Sequence, residues 1–140
     1  MKSLEKYLEI LAKTHNLALA TSVDNIPNVR IVNFCFKKEE PAILYFMSDR
    51  ENQKVTEFGK NSNVAFTSIP GDGIRHVRSR NAVVRKSRYS MDEIKELFIA
   101  NIPGYDQTIK AIGTSLDVFE IHVKEATVTT GLEAPDRVTF

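Results

Sequence analysis

The segment AILYFMSDRENQKVTEFG, residues 42–59, decides the reading of this chain, because an apolar run ends inside it at a polar turn and a short amphipathic stretch follows. Residues 42–47, bounded by Pro41 and rich in aromatic and branched side chains, predict a buried strand. Ser48 stands three residues before Glu51, the spacing at which a serine and a glutamate cap one another's backbone N–H groups, so a helix is predicted to start there. Val55 and Phe58 give that helix an apolar edge, and Gly59 suits the left-handed residue that ends one. A helix start has unpaired N–H groups and a partial positive charge, which makes the turn a candidate anion site with Lys54 in reach from the second turn. Capping boxes also open many helices that bind nothing, and the local pattern leaves both readings open.

Around this unit the composition is that of an ordinary globular chain. Its 140 residues, 42% hydrophobic, predict one domain over residues 1–140 with a core of its own. Nineteen basic against eighteen acidic residues leave a net charge of +1, so no global field draws the protein to nucleic acid or to a membrane surface. A single cysteine, Cys35, excludes an internal disulfide and fits a reducing compartment. No apolar run approaches the length of a membrane span, and the N-terminal residues lack a secretion signal, so a cytoplasmic location is expected.

Upstream, Leu4, Tyr7, Leu8 and Leu11 recur at helical spacing and predict an amphipathic helix over 3–15. A strand over 17–23, a turn at Asp24-Asn25 and a second extended run over 26–36 follow. In that run Ile31, Asn33 and Cys35 fall on one face, and Arg30, Val32, Phe34 and Phe36 on the other. Arg30 thus shares a face with apolar residues. Either it snorkels to water near the strand start, or its guanidinium clamps an anion. Residues 37–41 connect this run to the strand over 42–47 as a hairpin.

Downstream, 64–69 predicts a strand, and Pro70-Gly71-Asp72-Gly73 a turn. Residues 74–89 carry Arg75, His76, Arg78, Arg80, Arg85, Lys86 and Arg88 without the aromatic interleaving of a single-strand nucleic-acid platform, and predict an exposed or partner-facing strand. Ser90 and Glu93 repeat the capping-box spacing before a helix over 90–100, NIPGYD breaks it, and a short helix runs on through Ile109 and Ile112. Residues 116–123 alternate as a strand, with Phe119, Ile121 and Val123 inward and Glu120, His122 and Lys124 outward; 126–130 adds another, and the tail from Gly131 reads as turn-like. Three scattered histidines and no nucleophile elbow, P-loop or dinucleotide fingerprint mean that any difficult chemistry would belong to a bound cofactor.

Element order and two motifs, NVRIVNF (28–34) and LYFMSDRENQKVTEFGKNSNVAF (44–66), resemble the FMN-binding split β-barrel family that includes pyridoxamine 5'-phosphate oxidase. The resemblance covers about residues 17–123. It implies a mainly β, α+β fold: a six- to seven-stranded antiparallel split β-barrel with flanking helices, assembled as a homodimer with flavin at the interface. It also implies that Arg30 and Lys54 bind the FMN phosphate, that the backbone at Ile31, Val32 and Asn33 lines the flavin ring, and that Phe46, Met47, Ser48, Asn52 and Gln53 complete the wall. The resemblance does not extend to vitamin B6 oxidation, since the chain ends PDRVTF without the arginine–histidine substrate motif and ELFIANIPGYDQ lacks a phosphate-gripping arginine. The function expected is electron transfer between a nicotinamide cofactor and an unknown small acceptor through FMN. A non-catalytic flavin-holding module and a deazaflavin-dependent reductase are the alternatives.

Overall fold

The computed structural model describes residues 2–71 and 73–140. Helix α1 (Ser3–Ala12) leads into strands β1 (Asn16–Val23), β2 (Ile26–Asn33), β3 (Cys35–Phe36) and β4 (Ile43–Asp49). Helix α2 (Gln53–Lys60) precedes β5 (Asn63–Ser68) and β6 (His76–Lys86), and α3 (Met91–Asn101) and α4 (Tyr105–Ile112) precede β7 (Leu116–Thr129) and β8 (Asp136–Thr139). The predicted 70–73 turn includes Asp72, which lies outside the described residues.

All the strands pair antiparallel in the order β2-β1-β5-β6-β7-β4-β3, with β8 added along β7. Only Phe34 separates β2 from β3, so the sheet begins and ends on one extended segment and curls into a barrel that is split where that segment changes partner. Counting β2 and β3 as that one segment, the eight strands form seven, the split-barrel architecture implied by the resemblance.

Burial alternates where one face of a strand meets the core. Leu17, Leu19, Val32, Phe34, Leu44, Phe46, Phe66, Phe119 and Ile121 fill the barrel. Phe58 of α2 enters at one end, its ring centroid 5.9 Å from Phe46 and 5.7 Å from Phe119. A buried phenylalanine of this kind is worth about 3–5 kcal/mol, and it fixes how α2 sits on the barrel. At the other end α1 supplies Tyr7 and Leu11, and the Tyr7 hydroxyl donates to the Pro41 carbonyl at 2.8 Å. β4 is buried on both faces because Tyr45 and Met47, with Cys35, lie under Ile94, Phe98, Ile102 and Tyr105 of the α3–α4 segment.

Several sequence expectations change. Ser48 does not cap α2: β4 stays paired with β7 through Ser48 and Asp49, and the helix starts at Gln53 with Asn52 as its cap, whose side chain accepts from the Lys54 N–H at 3.1 Å. Gly59 lies inside the last turn, and Asn61 follows the helix. Residues 116–129 form one strand rather than two, and the tail contributes β8. Glu120 does point to the outer face, but it is 4% exposed there rather than solvated. The Asp24-Asn25 turn and the Ser90–Glu93 capping box are present as expected, with φ of 52° and 66° at the two turn residues.

Candidate functional site

The split is positioned by simple hydrogen-bond arithmetic. A two-residue turn with positive φ at both centres makes Val23 and Ile26 an exchanging pair, so alternate residues Asn28, Arg30 and Val32 bond to β1. The Phe34 N–H continues that register, donating to the His15 carbonyl at 2.9 Å. Val29, Ile31 and Asn33 therefore turn their backbone groups to the opposite edge of β2, where no strand pairs. The same counting on β4 starts from the Arg50 N–H, which donates to Ser115 at 3.1 Å. Even-numbered residues face β7, and Tyr45, Met47 and Asp49 face the other way. Tyr45 meets β3, but beyond it the edge at Met47 has no strand partner. Two unpaired edges, Ile31–Asn33 of β2 and Met47 of β4, thus lie on the two sides of the split, or slot, and α2 follows directly on β4.

The ten residues expected to hold the cofactor divide accordingly. Ile31, Asn33, Asn52 and Gln53 are exposed, and Met47 and Ser48 are buried, Met47 with its side chain under the α3–α4 segment. Val32 and Phe46 do not present side chains to the slot: they are 7% and 0% exposed and belong to the barrel core, because inward-facing residues of β2 and β4 pack there. Their backbone groups face β1 and β7, so their contribution is limited to support. Ser48 donates its hydroxyl to the Asp49 carbonyl at 3.1 Å, and the Asp49 carboxylate accepts from the Glu51 N–H at 2.8 Å, which shapes the turn into α2.

Arg30 and Lys54 come together, but in different states. Arg30 reaches inward and sideways to the barrel end, where Nη1 donates to the Leu19 carbonyl at 3.1 Å and to Thr21 Oγ1 at 2.9 Å, and Nη2 pairs with Glu57. The guanidinium is held by the protein's own carboxylate, a partner that neither reading of the sequence included. The Lys54 ammonium makes no hydrogen bond or ion pair among the described residues, and the residue is half-buried. Burial and then the neighbouring Arg30 charge lower its pKa, while Asp49 acts in the opposite sense.

Glu57 is the residue that sequence reasoning missed. It accepts from Thr21 at 2.8 Å, from Asn28 at 3.2 Å and from Gln53 at 3.3 Å as well as from Arg30. The Thr21 hydrogen bond leads the causes that lower its pKa; burial opposes them, and the bonds from Asn28 and Arg30 add to them. The available sequence signal was its position three residues after Lys54, which places both on one face of α2.

A cavity of about 570 Å³ lies elsewhere, on the outer face of the sheet over Ala18, Ala20, Ala65, Thr67 and Arg78, and touches the β2 edge at Val29. Among the described residues no cluster of His, Cys, Asp and Glu could hold a metal ion, and no helix is long and apolar enough to cross a membrane.

The sequence model of the family described as pyridoxamine 5'-phosphate oxidase-like matches residues 10–134. No curated protein matches the chain in sequence. Among solved structures, a Clostridium acetobutylicum protein related to general stress protein 26, of the pyridoxinephosphate oxidase family, is similar at a TM-score of 0.74 and 8% identity, over 97% of this chain and 93% of that one. An FAD-binding protein from Mesorhizobium loti gives 0.66 and 16%, over 90% and 92%. A heme binding protein from Mycobacterium smegmatis gives 0.75 and 13%, and this chain, 99% covered, spans 58% of its length. These likenesses establish a shared fold.

Proposed function

The chain belongs to the pyridoxamine 5'-phosphate oxidase-like family, and from that premise we propose that it is a homodimeric FMN-dependent oxidoreductase passing electrons between a nicotinamide cofactor and a small acceptor. The observation that carries this reading is the split itself: an unpaired edge on β2, an unpaired edge on β4, and near Arg30 and Asp49 a half-buried lysine whose ammonium has no partner among the described residues. Backbone N–H and C=O groups at Ile31, Asn33 and Met47 suit the polar edge of a planar ring. Lys54 suits a phosphate, together with the Arg30 donors that Glu57 leaves free. Ser48, Asn52 and Gln53 supply short polar contacts around the turn. The donor set therefore fits FMN, which when bound supplies two-electron redox chemistry, while the protein's share is orientation, exclusion of water and charge placement.

The dimer is supported by the outer face of the same strands. Val29 and Ile31 are 63% and 60% exposed and lie directly across from Ala20 and Ala18, an exposed apolar cluster, of the kind that associates, at the rim of the outer-face cavity. Ile31 borders the slot with its backbone and that face with its side chain, so a second copy seated there would lie along the cofactor.

Absorbance of the purified protein titrated with FMN, followed by nicotinamide consumption, tests the reading. About one FMN per chain is expected, with Lys54→Ala weakening it by about tenfold, since a charge-assisted hydrogen bond contributes about 1.5 kcal/mol at the low end of its range. A protein that ignores FMN, or an unchanged affinity in Lys54→Ala, overturns the assignment. No histidine or cysteine is among the ten residues expected to hold the cofactor, which favours a non-catalytic flavin-holding module as the second reading; turnover with a reduced nicotinamide would remove it.

A further inference from the structure

Four charged side chains tied together at the start of α2 balance one another. Arg30 and Lys54 contribute two positive charges, and Glu57, paired with Arg30, and Asp49, which acts on Lys54, contribute two negative ones. Arg30 is also short of donors. Both Nη1 hydrogens go to Leu19 and Thr21 and one Nη2 hydrogen goes to Glu57, which leaves Nε–H and a single Nη2–H. These two are all that the guanidinium can offer a phosphate.

We propose that Glu57 sets the phosphate selectivity of this site, holding Arg30 and cancelling its charge so that FMN and its dephosphorylated form, riboflavin, bind with similar affinity. This rests on the flavin reading above. Glu57 acts through Arg30 as a positioning residue rather than touching the ligand, and its four hydrogen-bond donors, from β1, β2 and α2, keep the carboxylate in place. A phosphate dianion entering the site gains from Lys54, but meets no net positive charge from these four side chains.

The test is the ratio of FMN to riboflavin affinity, measured by flavin fluorescence in the wild type, Lys54→Ala and Glu57→Gln. These step the local charge from zero to one negative or one positive. The wild type is expected to prefer FMN by tenfold or less, Lys54→Ala to lose that preference, and Glu57→Gln to raise it about tenfold with riboflavin affinity unchanged. Equal changes in both flavins for Glu57→Gln, or no change in the ratio, overturn the proposal, because a residue that only holds α2 in place would not discriminate phosphate. Should Glu57→Gln fail to fold, the wild type decides alone: a preference for FMN above about a hundredfold refutes a neutralised site, and one of tenfold or less upholds it. Binding of neither flavin sinks the cofactor reading and this inference with it, whereas FMN binding with a fixed ratio sinks this inference only.

Discussion

Replacing Arg30 and Glu57 singly and together isolates the contact that ties α2 to the β1–β2 hairpin. Their side chains are 19% and 13% exposed, between a surface ion pair and a sealed one. Exposed pairs contribute about 0–1 kcal/mol, and breaking a fully buried pair costs about 3–5 kcal/mol. A coupling of about 1.5 kcal/mol is the value that this partial burial supports. Arg30→Ala strips one donor from Glu57 but leaves Thr21, Asn28 and Gln53 bonded to it. Glu57→Ala leaves Arg30 with Leu19 and Thr21. Each single variant is therefore cushioned, and each is expected to lose about 2 kcal/mol. The double variant should lose about 2.5 rather than 4 kcal/mol, because the second truncation removes a group that the first has already released. Urea unfolding at one fixed protein concentration measures it, a drop of 2 kcal/mol moving the midpoint by about 1 M when the slope is near 2 kcal/mol/M. Additive losses, with a coupling below about 0.5 kcal/mol, would refute the claim that this pair holds the helix and would leave Phe58 as its anchor.

Three further outcomes follow from other parts of the fold. Ser90→Ala removes the acceptor of the Glu93 N–H at the start of α3 and should cost about 1 kcal/mol, whereas Ser90→Gly should cost only a few tenths; equal losses in the two would refute the cap, and urea midpoints separate them. Cys35 lies under α3, and burial pushes its thiol up to about 12, so a thiol reagent at pH 8 should label it only on unfolding; rapid labelling of the native protein would show that α3 does not cover β3. Burial of Glu120 opposes its ionisation, yet hydrogen bonds from Ser87, His122 and Arg88 outweigh it and lower the pKa. A carboxylate lowered in the folded state contributes stability above its ordinary pKa that is lost as pH falls through the folded value, so Glu120→Gln should flatten the acid limb of stability against pH; an unchanged limb refutes the network.

One sequence pattern occurs twice in this chain with opposite outcomes, and the contrast shows what was legible. Ser90 and Glu93 cap α3 because the strand before them ends at Lys86 and the helix is free to begin at Met91. Ser48 and Glu51 have the same spacing, but Ser48 and Asp49 remain paired with Asp117 and Leu116, so the ladder with β7 takes the residues that a cap would need. Asn52, a good capping residue in its own right, then starts α2 four positions later. Local spacing records which residues can cap, not how far a neighbouring strand runs. The same limit hid Glu57, whose partners Thr21, Asn28 and Arg30 lie on the preceding hairpin and meet it only when Phe58 seats α2 on the barrel end. It also hid β8, four residues whose strand character comes from the Val128–Asp136 and Glu125–Thr139 pairs at the two ends of its ladder with β7. What the sequence does carry is everything with a period or a turn: the Asp24-Asn25 reversal, the inward face of Arg30, Val32 and Phe34, and the proximity of Arg30 to Lys54 implied by the family motif. The split was thus readable as a place, while its charge balance was not, because the balance depends on a carboxylate that folding delivers from the second turn of α2.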